Sequence, residues 1–132
     1  MDINYLAVVA AAASTFLLGG LWFSPLLFQK AWMSAAGVTE ADLKRGSEAG
    51  IFGGSFVLSL IMAFNLAAFL SGPDTTAHWG ATAGALAGAG WVAAGFGVVG
   101  LFERRPIAWT LINGGYWTVA FVLMGAILGA WR

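Results

Sequence analysis

His78 is the only histidine of the 132-residue chain, and Asp74 lies four positions before it. On one helical turn an imidazole and a carboxylate at that spacing could share a metal ion or pass a proton. No third ligand accompanies them, so a solvated histidine beside a polar link is the plainer reading. Cysteine is absent, which excludes disulfides, thiolate metal sites and a thiol nucleophile. Neither Gly-x-Ser-x-Gly nor His-Glu-x-x-His occurs. The glycine-rich run Gly84–Gly90 lies inside an apolar stretch and so serves packing, not phosphate binding. Glu103-Arg104-Arg105 is a charged link; its plain role is orientation and headgroup contact, against a specific anionic partner. These residues predict no enzyme, no metal and no cofactor.

A second set could bind without reacting. Trp91, Asn113, Tyr116 and Trp117 lie deep in apolar stretches, away from any charged residue. Trp91 is twelve residues inward from Trp79, and Trp117 ten inward from Ile107. At about 1.5 Å per residue these are about 18 Å and about 15 Å from opposite faces of a core roughly 30 Å thick. The two indoles are therefore predicted to meet at similar depth, with Thr110 and Asn113 on the same face as Trp117. Gly88, Gly90, Gly114 and Gly115 leave room beside the rings. An indole N–H and an amide in lipid need partners. One reading is a pocket lined by Trp91, Asn113, Tyr116 and Trp117 for a neutral ligand. The other is that the rings fill space left by glycines while Asn113 bonds a nearby backbone carbonyl.

The elements that carry these residues follow from composition. Hydrophobic residues make up 60% of the chain and charged ones only 9%, against about 25% charged in a soluble domain. The mean hydropathy is +0.84. No Asp, Glu, Lys or Arg falls in Ile3–Gln29, Ala49–Pro73, Thr75–Phe102 or Pro106–Trp131. Each window exceeds the roughly 18 to 20 residues that cross a bilayer core as a helix. The expected fold is an all-α integral membrane protein, one domain over 1–132. It has four transmembrane helices in an antiparallel bundle, with spans about 3–23, 50–70, 79–102 and 107–131. A short interfacial helix lies between helices one and two. Buried soluble helices would need polar faces that these segments lack. The first span has no basic residues before it, so it reads as retained, not cleaved.

The links set the geometry. Ser71–His78 and Glu103–Pro106 are short, so spans two, three and four are expected as consecutive hairpins. The long link, Ser24–Ala49, opens with Ser24-Pro25, read as an N-cap and first-turn proline. Leu27, Phe28, Ala31, Trp32 and Ala35 share one helical face, and Gly37 is the expected C-cap. Residues 25–36 thus read as a helix in the headgroup region, with Trp22, Pro25, Phe28, Lys30 and Trp32 as its interfacial anchors. A continuation of span one beyond a proline kink is the alternative. Thr39-Glu-Ala-Asp42 reads as a capping box. Lys30, Lys44, Arg45, Arg104 and Arg105 lie in two links, and Arg132 alone at the other side. That imbalance predicts those links inside and both termini outside.

Small residues point to close helix contacts. Gly80, Gly84, Gly88 and Gly95 read as one stripe of span three, and Gly114, Thr118, Gly125 and Gly129 as one stripe of span four. In lipid, such stripes let backbones approach. Span three is expected to be the central, most enclosed helix. Whether the stripes pack within one chain or between subunits stays open at this point.

Trp22-Phe-Ser-Pro-Leu-Leu-Phe-Gln-Lys30-Ala-Trp32, Gly37-Val-Thr-Glu-Ala-Asp-Leu43, Asn113-Gly-Gly-Tyr-Trp and Met124-Gly-Ala-Ile-Leu-Gly129 resemble a bacterial membrane family, domain of unknown function 1761. The resemblance runs over nearly the whole chain. Its Trp-x-Ser-Pro-x-x-Phe-x-Lys-x-Trp core is the specific part. It implies about four spans in a bacterial inner membrane and brings no role for Trp22, Pro25, Phe28, Lys30, Trp32, Asn113 or Tyr116. Small multidrug exporters share the length and span number. They carry a carboxylate in the first span, where this chain has Ala, Ser and Thr. The leading expectation is a non-enzymatic helix-bundle module, acting as homo-oligomer or accessory subunit of a membrane complex. The alternative is a binding protein, channel or uncoupled transporter for a neutral lipid-like or aromatic molecule. The expected partners are the lipid bilayer and itself or other membrane subunits; a net charge of zero gives no basic patch for nucleic acid.

Overall fold

Polar caps at the edges of apolar stretches decide where the helices begin. Ala7 N–H donates to Asn4 Oδ1 at 3.1 Å, Gly50 N–H to Ser47 Oγ at 3.1 Å, and Trp79 N–H to Thr76 Oγ1 at 3.1 Å. Each satisfies one of the amides that a helix N-terminus leaves open. The computed structural model describes residues 2–132. Its helices are α1 (Tyr5–Trp22), α2 (Gln29–Ala36), α3 (Glu40–Leu43), α4 (Glu48–Phe69), α5 (Ala77–Ala87), α6 (Ala94–Glu103) and α7 (Ile107–Ala130). A π-turn, Gly88–Ala93, joins α5 to α6, and the three run on as one 27-residue helix. Among the described residues, four helices are long and apolar enough to cross a membrane: Tyr5–Trp22, Glu48–Phe69, Ala77–Glu103 and Ile107–Ala130.

The break after α1 is made differently from the expected cap. Ser24 Oγ donates back to the Leu21 carbonyl at 2.6 Å, and the helix that follows has no side-chain cap. Phe28 N–H instead closes the turn onto the Trp22 carbonyl at 3.0 Å. Helix α2 therefore starts at Gln29, four residues after Pro25. Its end is as expected: Gly37 adopts the left-handed conformation, φ 68°, which costs glycine little. Thr39 and Asp42 form the reciprocal capping box. The Thr39 backbone N–H and its hydroxyl hold the Asp42 carboxyl below the usual range, and Arg45 at 2.7 Å adds to this. The turn stops at Leu43 and does not run into α4.

Two expectations about packing change. The central helix is α7, not the one carrying Gly80 and Gly84. Of its apolar stretch 44% is buried, against 11% for Ala77–Glu103. It packs against α1 on one side and α5, the π-turn and α6 on another, with α2 and α4 also touching it. Span three presses its glycines on α7, and most of the rest of its surface stays exposed. The hairpin of spans two and three is also not closed. Helix α4 packs on α1 and α7, and its side toward α5 stays open. The core lies where α1, α4 and α7 converge, around Ala7, Ala11, Ala63, Leu66, Met124 and Leu128.

The glycines act within the chain. A methyl on Gly80 would collide with the Gly125 carbonyl, one on Gly84 with the Phe121 carbonyl, and one on Gly88 with the Thr118 Cα. Gly125, Gly129 and Gly114 meet Gly80, Thr76 and Ala93 in return. Gly95 departs from the expected stripe and has nothing within 4 Å. The π-turn supplies the reason. Its wider turn inserts an extra residue, so the face toward α7 passes from Gly88 to Ala93, then to Gly97 and Gly100 beside Thr110. A strictly α-helical count would have kept Gly95 on that face.

Candidate functional site

Between α4 and α5 lies an apolar cleft of about 580 Å³. Helix α4 contributes Ile61, Met62, Asn65 and Phe69; the opposite wall has Trp79, Leu86 and Trp91, and Phe121 of α7 lies behind. Trp91 belongs to the π-turn. Gly88 and Ala93 face α7, so the indole between them turns off toward α4. It meets Phe69 edge-on, with ring centroids 6.4 Å apart, and is 70% exposed. No charged side chain lines the cleft. Its only amide, Asn65, donates to the Ile61 carbonyl of its own helix at 2.8 Å, leaving its side-chain oxygen for a ligand.

The four residues expected to share a pocket do not gather around one cavity. Only Trp91 lines the cleft. Asn113 donates to the Trp109 carbonyl on its own helix at 2.9 Å. Tyr116 is buried against α1, and its hydroxyl donates to the Thr15 carbonyl at 2.6 Å. Trp117 packs on Tyr116 and Phe121, with centroids 5.0 Å and 6.3 Å away. Helical spacing set the depths of Trp91 and Trp117, and the π-turn then rotated Trp91 out of the shared face. Sequence reading does not single out Asn65 or Phe69. The available signal is that Asn65 is the one amide of Ala49–Leu70.

The anchor residues form a joint as well as a surface. The Trp22 indole N–H donates to the Ile112 carbonyl at 3.1 Å, and its ring lies against Gly115. Trp22 stacks obliquely on Phe28 at 4.8 Å, and Phe23 meets Trp32 at 5.6 Å. Pro25 and Lys30 are exposed. Arg105 ties the other charged link to the same region. Its Nη1 donates to the Ala36 carbonyl at 3.0 Å and its Nε to Glu103 at 3.1 Å, while its guanidinium lies 5.7 Å from the Trp109 ring centre. His78 and Asp74 are exposed, and among the described residues no three His, Asp or Glu side chains come together to hold a metal ion.

Four long apolar helices, three of them packed on the central α7, with an open apolar cleft and no strand among the described residues, define an all-helical protein with membrane-crossing capacity. Residues 6–129 match the family described as protein of unknown function (DUF1761), and the chain belongs to that family. No curated protein and no solved structure matches it.

Proposed function

We propose that the protein is a non-enzymatic, antiparallel four-helix bundle of the cytoplasmic membrane that takes up a neutral, lipid-like or aromatic molecule in the cleft between α4 and α5. The cleft itself carries this reading. Its volume falls in the range of about 300–1,000 Å³ typical of small-molecule sites. Its wall is apolar and aromatic with a single amide, so a charged ligand would be left unpaired there. The glycines that suggested helix association between subunits are largely used between α5 and α7, which weakens the case for an oligomerisation module. That second reading keeps one observation in its favour. Around Gly53 and Gly54, which have nothing within 4 Å, α4 exposes Ile51, Phe52, Val57 and Leu58, a face another copy or a membrane subunit could cover.

Native mass spectrometry of protein extracted gently from its own membrane tests the proposal. A small molecule retained by the wild type and by Asn113→Ala, but lost from Trp91→Ala, is the expected result. Co-purifying protein chains with no retained molecule would instead favour the module.

A further inference from the structure

A second cavity, of about 420 Å³, lies at the end of the bundle that gathers both ends of the chain and the α4–α5 link. It shares no lining residue with the apolar cleft. Asp2, Asn4, Ser71 and Arg132 supply its polar groups, and Ile3, Leu128 and Trp131 part of its apolar wall. Arg132 is held firmly in place. Its Nη1 donates to the Leu70 carbonyl at 2.6 Å and the Leu128 carbonyl at 3.2 Å, and its Nη2 to the Gly72 carbonyl at 2.7 Å. A guanidinium carries five N–H groups, so the Nε–H and one Nη2–H have no partner among the described residues. Asp2 lines the same cavity, yet it has no hydrogen bond and no ion pair among those residues. The Asn4 oxygen caps α1, which leaves the amide nitrogen as a donor.

A fixed cation and a carboxylate with no ion pair among the described residues thus line one cavity without bridging to each other. A simple anion would be repelled by Asp2, and a simple cation by Arg132. A ligand with both charges satisfies both. A phosphate accepts well from two guanidinium N–H groups, and an amine linked to it can reach a carboxylate. Trp131 and Ile3 give the apolar border that suits a membrane interface. We propose that this cavity is a site for a phosphate–amine zwitterion, such as a phosphoethanolamine group, carried by a membrane lipid or free in solution.

The test uses the full chain in bilayer discs of equal phosphatidylethanolamine and phosphatidylglycerol, with retained lipid counted by native mass spectrometry. The wild type is expected to retain the zwitterionic lipid several-fold over the anionic one. Asp2→Asn should bring that preference close to unity. Arg132→Lys, which keeps the charge and loses the fork, should lower retention of both lipids. Because Asp2 makes no hydrogen bond or ion pair among the described residues, Asp2→Asn stays informative even if Arg132→Lys loosens the fold, which a circular-dichroism melt will report. Displacement of the lipid by soluble O-phosphoethanolamine assigns the site to a free zwitterion, and persistence against it assigns the site to the lipid. No preference in the wild type, or an unchanged preference in Asp2→Asn, overturns the proposal.

Discussion

Tyr116 sits where α1 and α7 touch, and it joins them by more than contact. Its hydroxyl reaches the Thr15 carbonyl, 101 positions away, and Gly19 leaves the room that the ring needs. Thr15 in turn bonds the Ala12 carbonyl and Ser59 on α4, so three helices meet around one polar chain. Tyr116→Phe removes only the hydroxyl. It should lower stability by about 1 kcal/mol, since interhelical hydrogen bonds in membrane proteins are worth roughly that or less. An unfolding titration in SDS checks this; an unchanged midpoint would show that the bond contributes nothing. Residues that act locally were legible in sequence. Gly37 and the Thr39–Asp42 box obey rules spanning three or four positions, and both stand as read. Tyr116 and Trp22 could be marked as deep or interfacial, but their partners Thr15 and Ile112 lie on other helices, beyond any local pattern.

At the scale of the element, the helix Ala77–Glu103 shows why a stripe can be half right. Before the π-turn the count of four holds, and Gly80, Gly84 and Gly88 press on α7 backbone. After it the count fails, and Gly95 faces open space. Substituting alanine at the two ends should therefore give opposite outcomes. Gly84→Ala sets a methyl against the fixed Phe121 carbonyl and should cost about 1–3 kcal/mol, the usual range for overpacking. Gly95→Ala meets nothing and should be neutral or stabilising by less than about 1 kcal/mol, as in other helices. Thermal or SDS unfolding of the pair checks both signs. Equal losses at the two sites would mean that Gly95 is covered by something outside the chain. The segment Gly88–Ala93 holds only small residues apart from Trp91 and Val92, so nothing in its composition separates a π-turn from an α-turn.

For the whole molecule, the two charged links lie together, joined by Arg105 and the Ala36 carbonyl. That closeness fits the proposal that both face the cytoplasm, with the termini outside. Tags at either terminus of the protein in intact cells should be cleaved by protease added from outside. Cleavage confined to inverted vesicles would reverse the orientation. The sequence alone determined the four long helices, their limits to within about two residues and the family, because charge-free length and caps are local properties of the chain. It also placed the break near Ser24 and Pro25, although not the start of the helix that follows. Tertiary structure alone decided that α7 is central, that α4 leans away from α5 and that Trp91 lines a cleft without Asn113, Tyr116 or Trp117. The physical reason is that all four long helices are apolar on every side. Hydrophobic pattern then cannot say which face meets which neighbour, and that choice falls to backbone fit at glycines, one widened turn and a few hydrogen bonds between distant residues.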